Sequence, residues 1–192
     1  MGISNCLPAL LDIKRRIIAA ICALYRYDRE LLDRDVNERS ITHKLAEYLQ
    51  REFPGWHVDC EYNRCEGDPK RIRLNSSQKE LCDLFPEIKP DDLEAKTVFP
   101  DIIIHKRKTD RNLVIIEVKK TNGQEDTKDI DKIEAFIKEE AYQYRYGLFL
   151  RLGPDGPSKC ELYQREHQQE KLNPIDWKDD LQQALKELGY GE

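Results

Sequence analysis

The stretch that decides the fold reads Val98-Phe-Pro-Asp-Ile-Ile-Ile-His105, then Lys106-Arg-Lys-Thr-Asp-Arg-Asn112, then Leu113-Val-Ile-Ile-Glu-Val-Lys119. Two apolar runs flank a polar turn at 108–112, which predicts a β-hairpin. The second run is so apolar that it belongs in the interior of a sheet. Side chains alternate along a strand, so Ile115, Glu117 and Lys119 share one face. An acid and a base there are costly to bury unless something pairs them. A divalent metal with its water is one such partner; a salt bridge between Lys119 and the acids is the other. The hairpin also brings the start of its first strand beside the end of its second, which makes Asp101 a neighbour of Glu117. Two carboxylates that close repel unless a cation lies between them. Oxygen donors of this kind suit Mg²⁺ or Mn²⁺.

The pattern outside the hairpin predicts a mixed α/β sheet flanked by helices. Leu10, Ile13, Ile17, Ile21, Leu24 and Leu31 recur at helical spacing and predict a helix over 7–33. A second helix is expected over 37–52, with Ile41, Leu45, Tyr48 and Leu49 inward and Pro54-Gly55 after it. Trp56, Val58, Cys60 and Tyr62 alternate with polar residues, as in a strand. Residues 64–97 are charged, carry three prolines and show no clear strand, only a short helical candidate at 78–84. A third helix is expected over 128–146, from Ile130, Ile133, Ile137, Ala141 and Tyr144, with Gly147 as its stop. A strand pair, 148–152 and 160–164, surrounds Gly153-Pro-Asp-Gly156. Trp177, Leu181, Leu185 and Leu188 predict a last helix over 175–188.

The 192 residues suit one domain. No apolar run approaches the length of a membrane span. The N-terminal charges follow the first apolar stretch, the wrong order for a secretory signal, and Cys6 does not fit a myristoylation start. The six cysteines form no CxxC pair, which argues against a zinc site and for reduced thiols in the cytoplasm. The net charge of −5 runs against the basic balance usual in nucleic-acid binders. Local basic runs do exist, at Lys14-Arg15-Arg16, Lys70-Arg71-Arg73, Lys106-Arg107-Lys108 and Lys119-Lys120. Each reads as a phosphate-tracking patch or as a solvated face.

Phe99-Pro100-Asp101, followed by Glu117-Val118-Lys119 at the end of the paired strand, resembles the PD-(D/E)xK nuclease superfamily. The resemblance spans residues 36–150. It implies a restriction-endonuclease-like αβββαβ core with extra N- and C-terminal helices. On that reading 1–192 is one domain: a helical extension at 1–35, a nuclease core at 36–166 with an insertion at 64–97, and a C-terminal helix at 173–192. The implied activity is metal-dependent hydrolysis of phosphodiester bonds in DNA, in a role such as defence, restriction or repair. Asp101 and Glu117 would hold Mg²⁺ or Mn²⁺ with the main-chain oxygen of Val118, and Lys119 would assist the attacking water as orienter, stabiliser or base. The family commonly adds an acid from the helix before the first strand. Glu38 matches it, three residues before Ile41 and seven before Leu45, and would hold the metal directly or through water. The competing reading makes Glu38 part of a capping box with Asp35. Lys120, Lys106 and Arg107 would contact nucleic acid. RecB-like members add a Gln and a Tyr on the helix after the motif; Gln143 offers the first, but position 147 is Gly. Glu61 reads as a metal-shell acid or an ion-paired surface residue, and His43 and His57 as ordinary polar residues.

The bare motif recurs elsewhere: Glu87-Ile-Lys89 and Glu94-Ala-Lys96 also read ExK, and Pro90-Asp91 and Pro154-Asp155 also read PD. None of these falls in paired apolar strands, and a motif counts only in its context. The rival class is a catalytically silent module of the same fold, serving nucleic-acid binding or complex assembly. Partners on either reading include a second copy or another protein chain.

Overall fold

Helix α1 (Leu10–Tyr27) buries Ile13, Ile17, Ala20, Ile21 and Leu24, the residues its helical period aligns. The expected single helix over 7–33 is interrupted at Asp28, and a short α2 (Glu30–Asp33) follows. No Gly or Pro marks the break. The Tyr48 hydroxyl donates to the Asp28 carboxylate there. Helix α3 (Glu38–Glu52) starts at Asn37, whose side chain accepts from the Arg39 N–H at 3.0 Å. The computed structural model describes residues 7–33, 36–62, 64–65, 68–69, 71–72, 96–97, 99–121, 127–139, 142–165 and 172–190.

A six-stranded mixed sheet forms the centre. Its strands are β1 (His57–Cys60), β6 (Ile102–His105), β7 (Asn112–Lys120), β8 (Tyr146–Gly153), β9 (Gly156–Gln164) and β10 (Ile175–Asp176), and they lie side by side in that order. The hairpin forms as expected, with Ile102 opposite Ile116 and Ile103 opposite Ile115. Only the β7–β8 pairing is parallel, with α4 (Thr127–Lys138) crossing between the two strands. Helices α1 and α3, with α5 (Lys178–Glu187), bury Ile102, Ile104, Ile116 and Val118 on one face. Helix α4 buries Ile103, Ile115 and Phe149 on the other. Strand β7 is therefore covered on both sides, which is why it reads as a continuous apolar run. No described helix is long and apolar enough to cross a membrane.

Further expectations fail. Residues 64–97 do contain strands. β2 (Arg64–Cys65) pairs with β3 (Asp68–Pro69), and β4 (Arg71–Ile72) pairs with β5 (Lys96–Thr97). Two residues show no readable alternation, and Arg71 finds Thr97 across a long stretch of chain. The helical candidate at 78–84 lies outside the described residues. The third helix stops at Lys138, not at 146. Beyond it Tyr142, Tyr144 and Tyr146 are buried and Gln143 and Arg145 exposed, a period of two that leads into β8. Gly147 lies within β8 and stops nothing. The last helix begins at Lys178, because Ile175 and Asp176 pair with β9 as β10.

Candidate functional site

The hairpin turn lies at one end of β6 and β7, so the start of β6 and the end of β7 meet at the other. Asp101, one step before β6, accepts from the Val118 N–H through Oδ2 at 2.8 Å. Glu117 faces α4 and is 1% exposed. Its Oε2 lies 2.5 Å from Lys132 Nζ. Its Oε1 is buried with no hydrogen-bond partner among the described residues. Lys119 Nζ bridges Glu38 Oε1 at 3.3 Å and Asp129 Oδ2 at 3.4 Å. The other oxygen of Glu38 accepts from the Lys120 N–H at 3.2 Å, and Lys120 Nζ donates to the Val36 carbonyl at 2.9 Å. Glu38 thus points at the end of β7. Asn37 fills the N-cap position that the capping-box reading gave to Asp35, a residue outside the described set.

The site joins four carboxyls (Glu38, Asp101, Glu117, Asp129) to the ammoniums of Lys119 and Lys132, with Lys120 Nζ turned to the Val36 carbonyl, so carboxyls outnumber ammoniums. Burial pushes the Glu117 carboxyl well above the usual range; the Lys132 ammonium opposes this, and the charge of Asp101 reinforces it. Burial also raises Asp101, against the Val118 N–H that favours its anion. For Lys119, burial acts to lower the pKa. Asp129, Glu38 and Asp101 together outweigh it and hold the amine above the usual lysine range. Lys119 is therefore an ammonium at neutral pH.

These features fit a divalent cation. The site has more carboxyls than ammoniums, an orphaned carboxyl oxygen, and oxygen donors of the hard type that Mg²⁺ and Mn²⁺ take alongside water. No cluster of three or more His, Cys, Asp or Glu side chains among the described residues is disposed to hold a metal. Asp101 and Glu117 are the side chains on which a cation would rest.

The structure brings Glu38, Asp101, Glu117, Val118, Lys119 and Lys120 together. It does not bring Lys106, Arg107 or Gln143 with them. Lys106 and Arg107 lie at the turn end of the hairpin. Five strand steps separate Asn112 from Glu117, about 17 Å. There Arg107 pairs with Asp59, and Lys106 lies 5.5 Å over the Trp56 ring. Gln143 precedes β8, which runs parallel to β7, so it also falls at that far end, in a turn with φ +49°. Glu61 pairs with Arg39 at 3.0 Å on the surface. His43 lies beside Glu47, and His57 accepts from the Arg107 N–H. A groove of about 730 Å³, lined among others by Asn37, Glu38, Arg39, Thr42, Phe99 and Asp101, opens onto the acids.

Asp129 and Lys132 were missed from sequence. Their signal is position: both share the face of α4 that carries Ile133 and Phe136, so they are polar residues inside an apolar stripe. Lys-Asp-Ile-Asp-Lys otherwise reads as an ordinary solvated helix start.

Known protein families, curated proteins and solved structures offer no match to this chain.

Proposed function

We propose that this chain is a metal-dependent nuclease of the PD-(D/E)xK type, built on a restriction-endonuclease-like core and acting on phosphodiester bonds in DNA. The observation that carries the reading is the buried, unpartnered Glu117 Oε1 at the hairpin end that also holds Asp101. The chain order α3, β1, β6, β7, α4, β8 supports it, being the helix, three strands, helix and strand of such a core.

A divalent cation on Asp101 and Glu117 would supply Lewis acidity to the attacking water and to the scissile phosphate. The protein's own groups do the rest. The Val118 N–H fixes the Asp101 carboxylate. Lys119, charged and steered by Glu38 and Asp129, orients the water and offsets the negative charge that grows on the phosphate oxygens. The groove beside Asp101 admits the strand, with half-exposed Phe99 at its lip.

The test is cleavage of plasmid and single-stranded DNA, with RNA in parallel, in Mg²⁺ or Mn²⁺. Wild type is expected to cut DNA, and Asp101→Ala to lose at least about a hundredfold, since even outer-shell changes cost ~10–100-fold at metal sites. Equal cleavage by the two proteins would end the assignment. The second reading, a catalytically silent module, draws on the Lys132–Glu117 pair, which gives Glu117 a counter-ion without any metal. Titration with Mn²⁺ separates them, because a silent module has no specific divalent site.

A further inference from the structure

Lys132 is not part of the motif, yet it is the residue that decides what Glu117 can offer. Its ammonium is on Oε2 at 2.5 Å, and its own side chain is only 13% exposed. Asp129 holds it from one turn away at 3.7 Å, and its neighbours on the same helix face, Ile133 and Phe136, are fully buried. The Lys132 side chain is mostly buried, and separating a largely buried charge from its partner is strongly unfavourable. Oε2 is therefore committed to Lys132, and Oε1 is the oxygen left over.

We propose that Lys132 is a specificity-determining residue for the metal: it limits Glu117 to a single coordinating oxygen and so selects a small octahedral cation over Ca²⁺. The inference rests on the metal-dependent reading above. Ca²⁺ takes six to eight oxygens at longer distances and readily uses carboxylates through both oxygens, whereas Mg²⁺ demands compact octahedral geometry and keeps its waters. A carboxylate with one oxygen already occupied suits the second case. Lys132 acts through Glu117, which makes it a positioning residue.

The experiment is isothermal titration calorimetry of the full chain with MnCl₂, MgCl₂ and CaCl₂, on wild type, Lys132→Met and Lys132→Arg. Removing the ammonium strengthens binding of every divalent ion through charge alone, so the readout is the ratio of Ca²⁺ to Mn²⁺ affinity. That ratio is expected to rise by about tenfold or more in Lys132→Met, within the range that outer-shell partners command. Lys132→Arg keeps a donor on Oε2 and is expected to retain the wild-type ratio. An unchanged ratio in Lys132→Met overturns the proposal, while Mn²⁺ binding and cleavage by wild type leave the nuclease reading standing. Should Lys132→Met fail to fold, competition on wild type decides: Ca²⁺ at equal concentration displacing bound Mn²⁺, followed by electron paramagnetic resonance, overturns it. Wild type that binds no divalent ion removes both the proposal and the reading beneath it.

Discussion

Asp101 carries opposite demands from folding and from chemistry. Burial raises its pKa, and the Val118 N–H only partly offsets that. Its folded value therefore lies above the ordinary aspartate value of 3.8. Between the two values the native state binds more protons than the unfolded chain, so stability falls as pH rises through that window and stays lower above it. Asparagine keeps an oxygen for the Val118 N–H and carries no charge. Asp101→Asn is thus expected to melt above wild type at neutral pH in EDTA, with the gap closing as pH falls to the ordinary aspartate value. Calorimetric melts across pH check this, and a wild type that is the more stable at neutral pH contradicts it. The gain in stability comes with loss of cleavage, the usual exchange at a strained site. At this scale the sequence exposes Asp101, Glu117, Lys119 and Glu38, because strand alternation and helix phase place them without further knowledge. Asp129 and Lys132 stay hidden. Placing them requires knowing which face of α4 meets β7, and that is a tertiary fact.

Elements were legible where period and length agreed. The β6–β7 hairpin is an apolar–turn–apolar pattern with local pairing, although its register shifts by one residue between Ile104 and His105. The tail of α4 misled because Ala141 and Tyr144 happen to continue a helical phase. The Tyr142, Tyr144, Tyr146 alternation that β8 imposes was equally present in the letters. Gly147 misled for a related reason: a glycine after a helical pattern reads as a C-cap, but here it makes room. A Cβ at 147 would lie 2.2 Å from Ile133 Cγ2 and 2.8 Å from Ile137 Cδ1, both on α4. Gly147→Ala is therefore expected to lower stability by about 1–3 kcal/mol, the usual range for overpacking. Urea melts measure it. The double variant with Ile133→Ala, which removes the nearest atom, should lose less than the two single changes added together. Additive losses would place the strain somewhere other than the α4–β8 contact.

Across the described residues, several cations of the basic runs that suggested a phosphate track pair within the protein itself. Lys14 pairs with Asp180, Arg16 with Asp12, and Arg107 with Asp59. The chain carries −5 overall, and carboxyls outnumber ammoniums where α3, β6, β7 and α4 converge. A divalent ion seated on Asp101 and Glu117 would offset the excess and tie the start of β6 to the end of β7, so its binding free energy adds to the stability of the fold. At a free concentration of about a hundred times Kd, a ligand bound only by the native state contributes about 2.7 kcal/mol. For a chain of this length each kcal/mol moves the midpoint by roughly 2–4 °C. Mn²⁺ at that level is therefore expected to raise Tm by about 5–10 °C, and EDTA to reverse the shift. Glu117→Gln replaces an anionic donor with a neutral amide and should show little of it, whereas Lys106→Ala, at the far end of the hairpin, should show it in full. A shift that survives in Glu117→Gln would mean the ion binds elsewhere on this acidic surface, and that the buried oxygen at the end of β7 serves the Lys132 ion pair alone.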